Sequence, residues 1–257
     1  MYFVKTPWWL KKFYPQLIWN KARTTKTIFL TFDDGPIPIV TPWVIKTLKS
    51  FNAKATFFCI GDNIQKHYAI FLQLKADGHA IGNHTYNHLK GWATADDVYV
   101  NNFNKCQTLT QTNLFRPPYG RIKRSQIREI QNLKFKIQNQ ESKNSKIKNQ
   151  KLNQQLTTNY SPLSTNHSLV PTTTNFPLAT NHLPLPNQKI IMWDVLSGDF
   201  DIKLSPEICL KHVLKHTENG SIVVFHDSLK AWDRLEYVLP KALAYWQKLG
   251  FKFEVIT

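Results

Sequence analysis

Cysteine is scarce in this 257-residue chain, and none of it is paired by spacing. Cys59, Cys106 and Cys209 form an odd, scattered set with no C-x-x-C repeat, which excludes a disulfide scaffold and a zinc knuckle. Long apolar runs are missing as well: no stretch approaches the roughly 18 apolar residues that a membrane-spanning helix needs. The opening segment Met1–Lys12 is aromatic, but Lys5, Pro7, Lys11 and Lys12 interrupt it before the apolar core of a secretory leader accumulates. A cytoplasmic location is the expectation on that ground. Acids are absent from residues 1–26, which carry six bases.

What the chain does have is apolar mass and uneven charge. Hydrophobic residues make up 42% and aromatics 13% of it, too much apolar surface to stay solvated, so most of the chain folds, with length for one large domain. The net charge of +16 lies almost wholly in residues 1–26 and 121–151. These read first as solvated basic flanks, with weak contact to an anionic surface as the alternative; nothing marks specific nucleic-acid recognition.

From Thr27 onward apolar strands alternate with helical spacing. Strands are expected at 27–32, 55–60, 79–82, near Phe115, and at 189–193, 221–225 and 251–256. Helices are expected at 42–51, 64–76, 95–112, 122–135, 206–217 and 233–249. Strand-then-helix repetition predicts an α/β fold with a parallel sheet, open or closed into a barrel, and function at the C-terminal ends of the strands. Residues 137–188 break the rhythm with Asn, Gln, Ser, Thr, Lys and Pro. They read as a low-complexity, disordered insert in a domain spanning 27–257, with 1–26 as a basic aromatic extension.

Five strand ends carry chemistry. Asp33 and Asp34 close the first strand before Gly35-Pro36. The segment Asn83-His84-Thr85-Tyr86-Asn87-His88 follows the third, and histidines at i and i+4 on a helical turn would reach one ion. With an aspartate they make a two-His, one-carboxylate set that leaves positions open, as catalytic metal sites do. Arg116-Pro117-Pro118-Tyr119-Gly120 supplies a guanidinium suited to a carboxylate that must stay ionised. Asp194 and Asp199 lie in the segment Trp193 to Phe200, and His226 emerges from the apolar run Ser221 to Phe225.

In order, these segments resemble the five motifs of the NodB-like polysaccharide deacetylases, carbohydrate esterase family 4. The resemblance implies an irregular (β/α) barrel with fewer than eight regular repeats. It implies that Asp34, His84 and His88 hold one divalent metal, usually zinc, with cobalt or another divalent ion as alternatives. It implies Asp33 as general base braced by Arg116, and the Tyr119 backbone N–H, beside Pro118, at the oxyanion. It implies His226 as general acid oriented by Asp199. Trp193 is a candidate pocket wall. Phe200 stands where the family often has Trp, Leu196 where an acid is common, and Val224 where Leu is usual; these changes bear on how the sugar fits.

The expected activity is removal of N-acetyl groups from amino sugars of a glycan. An O-acetyl polysaccharide esterase and a non-catalytic glycan-binding protein are the alternatives. A non-haem iron oxygenase shares the two-His, one-carboxylate set, but Asp33, Arg116 and His226 favour hydrolysis.

Overall fold

The computed structural model describes residues 2–131 and 187–257. Its sheet contains β1 (Thr27–Asp33), β2 (Ala55–Cys59), β3 (Ala80–Asn83), β4 (Leu114–Phe115), β5 (Lys189–Ile190), β6 (Val195–Leu196), β7 (Ile222–His226) and β8 (Lys252–Phe253). The strands lie in the order β5-β4-β3-β2-β1-β7-β6, with β8 also paired to β1. Every pairing between them is parallel. This is the expected α/β architecture, an incomplete (β/α) barrel.

β1 is buried along its whole length, as an unbroken apolar run covered on both faces should be. Phe32 stacks on Phe57 of β2 at 5.0 Å and on Phe225 of β7 at 5.8 Å, so three neighbouring strands share one aromatic layer. The helices are α1 (Trp8–Phe13), α2 (Val40–Ser50), α3 (Gly61–Lys66), α4 (Tyr68–Ala76), α5 (Asp96–Thr110), α6 (Arg124–Gln131), α7 (Pro206–His216) and α8 (Trp232–Lys248). Pro206 opens α7 at the position where its missing N–H costs nothing, and the Ser205 hydroxyl accepts from the Ile208 N–H.

Three expectations change. The helix expected at 64–76 is two helices that meet at His67. The strand expected at 189–193 stops at Ile190, and β6 follows as a separate strand. Arg116 explains the break: its guanidinium donates to the carbonyls of Ile191 at 3.2 Å and Met192 at 3.0 Å, so a side chain takes the place of a neighbouring strand. The low-complexity stretch expected at 137–188 lies outside the described residues except for Asn187 and Gln188.

The third change concerns the N-terminal extension, which packs along the sheet instead of lying free in water. Ile18 pairs with Ile191, Lys5 with Val195 and Asn20 with Ser221. The Thr6 N–H donates to the Asp194 carbonyl at 2.9 Å, and the Leu196 N–H to the Val4 carbonyl at 2.8 Å. The segment thereby runs between β5 and β6, the two ends of the sheet path. Lys5, Lys11 and Arg23 converge on the Asp194 carboxylate at 2.8, 2.6 and 3.1 Å, and the Ser221 hydroxyl adds a fourth donor at 2.7 Å. Burial opposes the charge on Asp194, but the Lys11, Lys5 and Ser221 hydrogen bonds outweigh it and hold the carboxyl at about 2.

Candidate active site and metal centre

Register brings the motif residues to one rim. Asp33, the last residue of β1, lies opposite His226, the last of β7. His84 follows β3 directly, Arg116 follows β4, and Asp199 lies three residues beyond β6.

Asp34, His84 and His88 each offer a ligand atom within 4.8 Å of the other two. The Asp34 Oδ1 is 3.3 Å from His88 Nε2 and 3.8 Å from His84 Nε2. Tetrahedral bonds of about 2.0 Å place ligand atoms roughly 3.3 Å apart, so the donor set fits a zinc-sized ion. The His84 Nδ1 lies 2.7 Å from the Arg116 carbonyl; donating there leaves Nε2 as the lone-pair nitrogen. Burial pushes the His84 imidazole well below its ordinary value, with His88 adding and Asp34 opposing, and burial also lowers His88. Both shifts favour the neutral ring, the form that ligates.

The histidines do not share a helical turn as expected. They sit on a loop in which Thr85 (φ 61°) and His88 (φ 56°) are left-handed, and Asp34 (φ 86°) and Tyr119 (φ 60°) are left-handed too. Such backbone in non-glycine residues is costly and collects at functional sites. Convergence of the three donors comes from loop geometry, not helical periodicity.

Asp33 is buried, and the fully buried Arg116 donates to its Oδ1 at 2.7 Å. The same nitrogen reaches the Thr31 hydroxyl at 2.7 Å, and the guanidinium lies over the Phe58 ring at 4.1 Å. Arg116 thus spends its donors on Asp33, Thr31 and two backbone carbonyls, which fixes the carboxylate and supplies its counter-charge.

Asp199 is fully buried and receives both the backbone N–H and the Nδ1–H of His226, each at 2.8 Å. Burial alone would push His226 down; Asp199, then Asp34 and Asp33, outweigh it and raise the imidazole to about 9. Arg234 donates to the Asp199 carbonyl at 2.6 Å. Phe200 lies edge-on to His226 at 5.2 Å and is itself packed by Tyr2 at 5.1 Å.

Pro118 and Tyr119 form a short 3₁₀ turn; the Tyr119 ring lies 4.6 Å from His88 and is 58% exposed. The Tyr119 backbone N–H has no partner among the described residues. Trp193 lies behind this turn, against Gly120, where an added Cβ would fall 2.3 Å from the indole. It lines a cleft of about 210 Å³ together with Trp92, Ile122 and the N-terminal Tyr2 and Phe3.

Sequence reasoning missed Asp227. Its carboxylate accepts from the Gly35 N–H at 3.0 Å and from the Thr41 hydroxyl at 2.6 Å. A Cβ on Gly35 would fall 1.9 Å from it, so only glycine fits beside Asp34. Burial pushes the Asp227 carboxyl up to about 8. Its place immediately after His226 was the signal available.

The fold is thus an incomplete α/β barrel with an Asp-His-His cluster able to hold a metal at the C-terminal ends of its strands. Residues 20–137 match the family model described as polysaccharide deacetylase. Over 111 residues it is 40% identical to a peptidoglycan-N-acetylglucosamine deacetylase of Bacillus cereus, covering 40% of this chain and 51% of that protein. The chain spans about half or less of the length of the curated relatives it matches. A crystal structure of a peptidoglycan N-acetylglucosamine deacetylase shares the fold, with a TM-score of 0.65, 24% identity, and coverage of 96% of this chain and 93% of that one. A carbohydrate esterase family 4 pseudoenzyme from Bacillus anthracis shares it as well, with a TM-score of 0.63, 17% identity, and coverage of 93% and 66%. Activity must therefore be argued from the site and not from the fold.

Proposed function

We propose that the chain hydrolyses N-acetyl groups on amino sugars of a glycan, of the peptidoglycan N-acetylglucosamine class for which its relatives are named. The observation that carries this is the register pairing of Asp33 with His226, which sets a braced carboxylate and an imidazole bonded to Asp199 beside the Asp34, His84 and His88 donors.

A divalent ion, with zinc favoured by the imidazole-rich donor set, would when bound polarise the acetyl carbonyl and acidify a water. Asp33, held by the Arg116 guanidinium at 2.7 Å, accepts the proton of the attacking water. The Tyr119 backbone N–H donates to the developing oxyanion. His226, protonated through neutral pH by its Asp199 bond, delivers a proton to the departing nitrogen, which is a poor leaving group without one. Phe200 and the Tyr2 ring behind it form the wall against which His226 rests.

Acetate release tests this on chitin oligomers, peptidoglycan and acetylated xylan, with metal added and with a chelator. The expected result is metal-dependent acetate from the first two substrates. Release from xylan alone would make the chain an O-acetyl esterase, and no release from any would leave a glycan-binding protein on the deacetylase fold.

A further inference from the structure

The N-terminal helix is inside out. On α1, Lys11 points inward to the buried Asp194 at 2.6 Å, while Trp8 (73% exposed), Trp9 (42%) and Phe13 (67%) face away from the protein. Phe3, 55% exposed, continues the row: it meets Trp9 at 6.2 Å, and Trp9 meets Phe13 at 6.3 Å. The helix spends a lysine on the interior and three large aromatics on the outside, with Leu10 as its one half-buried apolar contact to the core, and with Phe3 the aromatics make a contiguous apolar patch of the kind that marks a contact surface.

The ridge is rigidly presented. The Asp194 ion pairs and the backbone bonds from Val4, Thr6 and Ile18 fix the segment that carries it, so little ordering entropy remains to be lost on contact. Lys5, Lys11 and Arg23 are paired with Asp194 and Glu218, so the positive charge left to the ridge comes from Lys12 and its surroundings. No acid occurs in residues 2–26, Lys12 is exposed beside the aromatics, and Arg124 lies over Tyr14, just past the helix, at 5.6 Å.

We infer that the Phe3, Trp8, Trp9 and Phe13 ridge with Lys12 docks on an anionic lipid surface. Trp and Phe insert at the boundary of headgroup and acyl chain, and adjacent bases favour anionic headgroups. A polysaccharide platform fits less well, because stacking along a sugar chain wants ring faces in a common plane. Here successive rings stand at 88° and 75° to one another, which suits insertion into a fluid interface. The inference is independent of the deacetylase reading, since none of these side chains belongs to the catalytic cluster.

The test is co-sedimentation of the full chain with vesicles of phosphatidylcholine alone and of phosphatidylcholine mixed with phosphatidylglycerol, at low and high salt. Binding is expected on the anionic vesicles and weakens with salt. The double variant Trp8→Ser, Trp9→Ser should lose at least tenfold in affinity, and Lys12→Glu should lose more than about fivefold on the anionic vesicles only. Both variants should keep the thermal midpoint and the activity on a soluble oligosaccharide, because the Lys11–Asp194 pair is untouched. No sedimentation of the unaltered chain, or undiminished sedimentation of the double variant, overturns the proposal. So does binding to insoluble peptidoglycan or chitin that the double variant loses while vesicles are ignored; that result would make the ridge a glycan contact.

Discussion

Asp194 and Asp199 are five residues apart in one short segment, and both are fully buried. Asp194 is matched to two lysines and an arginine, residue types whose ordinary titration lies far above neutrality. Asp199 is matched to a single histidine, the one side chain whose charge changes near neutrality. The first arrangement can only hold structure, whereas the second can move a proton. Two identical residues in identical burial differ in function through the titration of their partners.

The largest effect separating them should come from the histidine side. His226→Ala is expected to lower turnover per folded molecule on an N-acetyl substrate by about 10²- to 10⁴-fold. An activated acetyl ester should suffer far less, because its leaving group needs little protonation. Equal losses on amide and ester would remove His226 from proton delivery.

Asp194→Ala should invert that pattern. Removing the shared anion leaves three cations beside an empty pocket, but each is partly exposed and can turn to water. The loss is therefore expected near the low end for a broken buried pair, about 3 kcal/mol, with turnover per folded molecule preserved; denaturant unfolding and kcat measured together check it. The pH dependence has a definite sign. Asp194 is held at about 2, below its ordinary value, so its contribution is present above roughly pH 4 and fades as pH falls through about 2. A stability curve flat across that acid window would break the comparison.

Asp227→Ala tests the clamp on the ligand loop. Freeing Gly35 and Thr41 should weaken metal binding by about ten- to a hundredfold, read by competition with a chelator, while α2 and β7 persist. An unchanged metal affinity would reduce Asp227 to packing.

The smallest expected effect is a displacement of a pH profile. With His226 raised to about 9, the protonated acid survives past neutrality and the basic limb of kcat should lie above the ordinary histidine value. Asp199→Asn should move that limb downward by about one unit or more; a limb that stays put would assign it to another group.

The reach of the sequence follows from distance along the chain. Asp33, Arg116 and His226 each follow an apolar strand, so periodicity alone marked their rim. The parallel sheet was legible for the same reason, since β1, β2 and β7 are short unbroken apolar runs. The break between β5 and β6 was not, because it depends on the Arg116 guanidinium seizing carbonyls 75 and 76 residues away. The Asp194 cluster joins residues 171 to 189 positions apart, and six bases without acids resemble a solvated flank until the fold brings that carboxylate among them. The His84 and His88 pair was found by spacing, but for a helical reason that the left-handed loop replaces.

The seam between β5 and β6 also sets a practical boundary. The match to the polysaccharide deacetylase model begins at residue 20, and a chain trimmed there would keep the whole matched segment. It would also lose Val4, Lys5, Thr6, Lys11 and Ile18 from the seam, strip Asp194 of two of its three cations, and take away Tyr2, the backing of Phe200. Such a trimmed protein would match the family model as well as before and yet expose an open sheet edge, so the shortest recognisable segment and the shortest durable one are different lengths of the same chain.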